Sequence, residues 1–165
     1  MCKNRERERV RIGMAEMLVI KNPAIITTTV GSCIALCMYD PINKIGGMVH
    51  IVLPHKTEYN NNGNSGLRYA DKAVPALLSE LLSRGAKKEF IVAKMAGGAN
   101  MFPMLTHPIL NIGRNNAEAV KKKLIDLGVP LVAEDIGGNH GRIVEFDIKS
   151  GIVKVSMINR GMKKL

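Results

Sequence analysis

The stretch VGSCIALCMYDPINKIGGMVHIVLPH, Val30 to His55, decides how the chain is read, because two apolar runs holding cysteine and histidine flank a turn. CIALCMY (33–39) and MVHIVLP (48–54) have the apolar, β-branched character of strands. Asp40-Pro41 opens the turn by fixing the proline φ, and Gly46-Gly47 closes it with residues free to take positive φ, so a hairpin is expected. A hairpin symmetric about Asn43-Lys44 places Cys37 opposite His50, whereas a bulge or a loop centred earlier brings Cys33 there. Both thiols stay open as partners of the imidazole.

Outward from this hairpin, MLVI (17–20), AIITTTV (24–30), FIVAKMA (90–96), VPLVAEDI (129–136), RIVEFDI (142–148) and IVKVSMI (152–158) read as further strands. Lys149-Ser150-Gly151 is a turn between the last two. Apolar residues recur at helical spacing from Leu67 to Arg84, stopped by Gly85, and from Asn111 to Leu127, stopped by Gly128. Pro75 lies inside the first pattern and predicts a kink or a restart. The polar segment KTEYNNNGNSG (56–66) buries too little to order itself and predicts a mobile surface loop beside the hairpin, a position suited to a lid. The fold class expected is α/β, a single-domain layered sandwich with two main helices on a mixed, largely antiparallel sheet. Residues 13–165 form that domain behind a charged tail, 1–12.

A chain of 165 residues can bury a substantial core without staples. Its three cysteines are an odd number and Cys2 lies in the charged tail, which points to a reducing compartment. MCKNRERERVRIG has no apolar region of a secretory signal, and no apolar run approaches the roughly 18 residues of a membrane span. A soluble cytoplasmic protein is expected. The net charge of +10 attracts nucleic acid or an acidic protein through the same field. With no Trp, three Phe, three Tyr and the run Lys121 to Lys123 placed as a solvated helix face, nucleic acid is not the expected partner.

Three chemistries compete for the cysteines and histidines. Cys33-x3-Cys37-x12-His50-x4-His55 matches the spacing of a zinc finger, but on a strand Cys33 and Cys37 stand about 13 Å apart and cannot share one ion. No metal is expected. As structural residues, both cysteines are small buried hydrophobes and His50 is satisfied by the backbone. The third reading starts from Thr27-Thr28-Thr29-Val30-Gly31-Ser32-Cys33, where a glycine before a thiol frees N–H groups of Ser32 and Cys33 to hold an oxyanion. A cysteine needs a base such as His50, and the imidazole needs an orienting group, which a threonine hydroxyl of the preceding strand supplies. Asn100, Asp135 and His140 lie by glycine-rich loops, whose turns alone call for such residues.

TTTVGSCIALCMYDP and GGMVHIVLP, with YADKAV, KMAGGANMF, NIGRNNAEAVKKKL and AEDIGGN in that order, resemble the chemoreceptor glutamine deamidase family CheD over about Ile12 to Val155. The resemblance implies hydrolysis of receptor glutamine side chains to glutamate, on a fold similar to the catalytic domain of cytotoxic necrotizing factor toxins. It implies a triad of Cys33, His50 and Thr27, no cofactor, methyl-accepting chemoreceptors as substrate and the phosphatase CheC as partner. Thr29 stands where the family's motif has glycine, and a β-branched residue there narrows the site. A non-catalytic adaptor binding receptors or CheC is the alternative.

Overall fold

The computed structural model describes residues 7–21, 23–57, 66–104, 107 and 111–165. The lid expected within 56–66 falls mainly outside the described residues, as does Cys2. In chain order the strands are β1 (Glu8–Arg11), β2 (Met17–Ile20), β3 (Ala24–Val30), β4 (Ile34–Asp40) and β5 (Ile45–Ile51), then helix α1 (Ala70–Ser83) and β6 (Val92–Gly97). Helix α2 (Ile112–Leu127) and strands β7 (Leu131–Ile136), β8 (Arg142–Asp147), β9 (Ile152–Met157) and β10 (Gly161–Lys164) complete the order.

These strands form two five-stranded sheets rather than one: an outer sheet ordered β1-β3-β8-β9-β10 and a central sheet ordered β2-β5-β4-β6-β7. Among the pairs these strands make, β1–β3 and β6–β7 are parallel and the rest antiparallel. One apolar layer, with Ile26, Val144, Phe146 and Val155 facing Ala35, Cys37 and Met48, joins the sheets. A second, with Leu77 and Leu81 of α1 and Val120 and Leu124 of α2, seats both helices on the other face of the central sheet. β4 and β5 are therefore covered on both faces and buried along their whole length, which explains their continuous apolar sequence. The outer strands alternate instead, as β8 shows, because their far face meets solvent.

Each helix shows local causes for its ends. The Asn111 side chain accepts from the Arg114 N–H at the start of α2, and Gly128 ends it at φ +68°. α1 runs through Pro75 as one helix, so no restart divides it, although the proline lacks the N–H that would have reached the Asp71 carbonyl. No helix of the described residues is long and apolar enough to cross a membrane.

Two segments depart from what their composition predicts. Gly46 and Gly47 do not close the turn; they lie inside β5, where an added Cβ would come within 2.8 Å of Ile148 and 2.6 Å of Val19 respectively. Their absent side chains let β3's neighbours and α1 pack close. Glu8–Arg11, placed in a charged tail by its composition, is a strand, tied to β8 by ion pairs Arg9–Glu145 and, just before it, Arg7–Asp147.

The hairpin turn is centred one residue earlier than symmetry about Asn43-Lys44 would place it, and the register sets Ala35 opposite His50. Asp40 holds the turn: its carboxylate accepts from the Ile42 and Asn43 N–H groups at 2.9 Å, from Asn43 Nδ2 at 2.7 Å and from the Lys87 N–H at 2.8 Å. Lys44 takes φ +55° to close the loop.

Candidate active site

The register puts Cys33 and Cys37 two residues to either side of Ala35, on the same face of the central sheet as His50. Neither thiol is directly opposite the imidazole. Their surroundings separate them. Cys37 is 2% exposed inside the layer between the sheets, and burial pushes its thiol far up despite the Lys94 ammonium. Cys33 stands just before β4, partly exposed, at the rim of the same layer. Burial raises its thiol too, and the Arg68 guanidinium works against that rise.

The segment Gly31–Cys33 is held by its carbonyls. Gly31 O accepts from the Ala99 N–H and Cys33 O from the Gly98 N–H, both at 2.9 Å, and Ser32 O accepts from Asn116 Nδ2 at 3.0 Å. Gly97 permits this approach: at φ +123°, a Cβ there would stand 2.1 Å from the Cys33 carbonyl oxygen. In a trans peptide the N–H points opposite to the preceding C=O, so anchoring the Gly31 and Ser32 carbonyls turns the N–H groups of Ser32 and Cys33 the other way.

His50 is held more completely. Its N–H donates to Glu16 O and its C=O accepts from the Ala15 N–H, each at 3.0 Å, so the turn between β1 and β2 grips it. Its Nδ1 lies 2.8 Å from Thr28 Oγ1, and that hydroxyl donates to Ile12 O at 2.9 Å. A hydroxyl has one hydrogen, and a carbonyl can only accept it. Thr28 must then accept from His50, which fixes the proton on Nδ1 and leaves the lone pair on Nε2. Nε2 is buried and has no hydrogen-bond partner among the described residues. Burial holds the imidazole below its ordinary value, opposed by the nearby Glu16 carboxylate.

The threonine that meets His50 is thus Thr28, one position beyond the Thr27 expected from the resemblance. Adjacent strand residues face opposite sides. Ala24, Ile26, Thr28 and Val30 are buried toward the central sheet, while Thr27, paired with Glu145 and Arg11, lies on the outer face with Thr29. A signal was present in the sequence: of the two parities in AIITTTV, the one containing Thr28 carries three apolar residues and the other carries one. The zinc-like spacing does not gather: His55 is exposed, and no three His, Cys, Asp or Glu side chains among the described residues cluster as metal ligands. Asp135 on β7 instead meets Arg142 on β8 at 3.2 Å, a partly buried ion pair between the two sheets at the Cys33 end. Sequence reading missed it, and missed Asn116, which lay unremarked inside a helical pattern.

The layer between the sheets thus has a partly exposed thiol, Cys33, at its rim, and the central sheet carries a buried imidazole, His50, whose ring proton lies on the nitrogen that meets Thr28. The profile of the family described as CheD chemotactic sensory transduction matches residues 52–157, a segment that begins just beyond His50. Proteins called "Probable chemoreceptor glutamine deamidase CheD" align over the site as well. That of Caldanaerobacter subterraneus subsp. tengcongensis is 44% identical over 93% of this chain and 96% of its own. Those of Desulfitobacterium hafniense and Moorella thermoacetica are 46% and 42% identical, over 93% and 94% of this chain and 96% and 95% of theirs. The chain belongs to the CheD family. Among solved structures, the Bacillus licheniformis hypothetical protein YfiH aligns at a TM-score of 0.48 and 14% identity, covering 73% of this chain and 49% of that one.

Proposed function

We propose that this chain is a protein-glutamine deamidase of chemoreceptors, with Cys33 as nucleophile, His50 as base and acid, and Thr28 as the group that orients His50. The observation carrying this reading is the relay from His50 Nδ1 through Thr28 to the Ile12 carbonyl, which leaves a buried Nε2, unpartnered among the described residues, on the sheet face whose rim bears Cys33. Burial favours the neutral forms of both partners, so the resting pair is thiol and imidazole. His50 Nε2 takes the Cys33 proton as sulfur attacks the glutamine carboxamide carbon. The S–C bond forms, the carbonyl π electrons move to oxygen, and the N–H groups of Ser32 and Cys33 hold the oxyanion. The intermediate collapses as the imidazolium protonates the departing nitrogen, releasing ammonia and leaving a thioester. His50 then deprotonates a water that attacks the thioester; the C–S bond breaks, the thiol regains its proton, and the side chain leaves as glutamate.

The family resemblance extends the reading to CheC as a partner and to the cytoplasm as the compartment. A net charge of +10 suits an acidic receptor surface. The test is to incubate the protein with a receptor cytoplasmic fragment and weigh its peptides. Gain of about one mass unit at particular glutamines, lost in Cys33→Ala, is the expected result. Unchanged mass with retained binding would replace the enzyme by an adaptor.

A further inference from the structure

The ladder between β4 and β5 ends at Ile34 opposite Ile51, so Cys33 lies one residue beyond the last paired position. What holds the chain there matters, because a misplacement of about 1 Å can cost 10²-fold in rate. Gly98 and Ala99 tie the Cys33 segment to the β6 side. On the β5 side the tie comes from α2. Asn116 Nδ2 donates to Ser32 O at 3.0 Å and to Val52 O at 2.9 Å, spending both amide hydrogens on carbonyls just past the ladder's end. Asn116 is fully buried, and Val52 is fixed in turn by donating to Arg68 O at 3.0 Å.

We propose that Asn116 is a positioning residue that staples the Cys33 segment to the strand carrying His50 and so sets the gap between sulfur and Nε2. This rests on the reading of Cys33 and His50 as the reacting pair. An amide fits the task because one nitrogen supplies two diverging donors, whereas a carboxylate would set acceptors against both carbonyls. Being buried behind the segment, Asn116 does not touch substrate, so its loss acts on kcat and leaves KM nearly unchanged.

The test compares wild type, Asn116→Ala, Asn116→Ser, His50→Ala, Cys33→Ala and Leu124→Ala. Leu124 is a core residue of the same helix and serves as the control for loosening α2. Two readouts are taken: kcat and KM on a receptor fragment, and the pH dependence of iodoacetamide alkylation on the Cys33 peptide, which needs no turnover. Asn116→Ala is expected to lower kcat by about 10- to 100-fold and to give the alkylation curve of His50→Ala. Asn116→Ser, keeping one donor, falls between and serves if the alanine variant does not fold. Leu124→Ala keeps wild-type kcat and alkylation in its folded fraction. A wild-type alkylation curve in both Asn116 variants, or an equal kcat loss in Leu124→Ala, overturns the proposal. Activity retained in Cys33→Ala instead removes the nucleophile reading beneath it.

Discussion

Replacing Thr28 with valine keeps the shape of a buried side chain and deletes the hydroxyl between His50 and Ile12. Two bonds go, at 2.8 and 2.9 Å, and their partners sit in residues where Thr28 is 2% and His50 4% exposed. If the proton stays on Nδ1, a buried donor and a buried carbonyl lose their partner, costing about 2–6 kcal/mol together, or roughly 4–24 °C in Tm. If it moves to Nε2 to escape that cost, the lone pair that would take the thiol's proton is lost. Losing a bond of about 1.4–2.8 kcal/mol lowers the competent tautomer about 10- to 100-fold, and kcat should fall with it. Thr27→Val, on the outer face, should change stability by no more than about 0.5 kcal/mol and leave kcat intact. Both variants are assayed by thermal unfolding and by ammonia release from a receptor fragment. Full activity in Thr28→Val beside an inactive Thr27→Val would refute the hydrogen-counting argument and restore the threonine inferred from the resemblance.

Two further outcomes follow from charge. Burial keeps His50 below its ordinary value while Glu16 opposes it, so the acid limb of kcat/KM should lie below that of a free histidine, and Glu16→Gln should move it lower still; a limb moving upward on a pH–rate profile would reverse the sign. At Asp40, burial alone would raise the carboxyl, but the hydrogen bonds from Asn43, Lys87 and Ile42 outweigh it and hold it below its usual value. A depressed folded-state value contributes stability that is present above the unfolded carboxyl value and lost as pH falls through the folded one. Asp40→Ala should therefore cost about 2–4 kcal/mol at neutral pH, and that deficit should shrink in acid, as urea unfolding at several pH values would show.

Much of the architecture was legible because it follows from periodicity. The helical spacing and the Gly128 stop located α2 within a residue, and the apolar runs located the inner strands. That Cys33 and His50 share a face could be read from parity once the hairpin existed. The register could not, since it depends on a loop in which Lys44 takes positive φ while the glycine pair, the strongest turn signal in the sequence, is spent on packing against Phe146 and Val19. β1 escaped notice because ion pairs across the sheet stand where apolar residues would have marked a strand. The division into two sheets was hidden for a related reason: a strand's own pattern tells how many of its faces are covered, not by which neighbours. Asn116 escaped because a buried asparagine in a helix looks like any other polar position until its carbonyls are found 84 and 64 residues away.

The chain of hydrogens behind His50 terminates on the main chain of Ile12. Every amino acid brings that oxygen, so drift at position 12 leaves the acceptor standing wherever the backbone keeps its path. Heredity has a single side-chain group to guard in this relay, the hydroxyl at 28, and serine could discharge the duty. A carboxylate in its place would burden the interior with a charge whose desolvation costs several kcal/mol, so a neutral relay lets the same imidazole orientation persist in a more weakly stabilised fold.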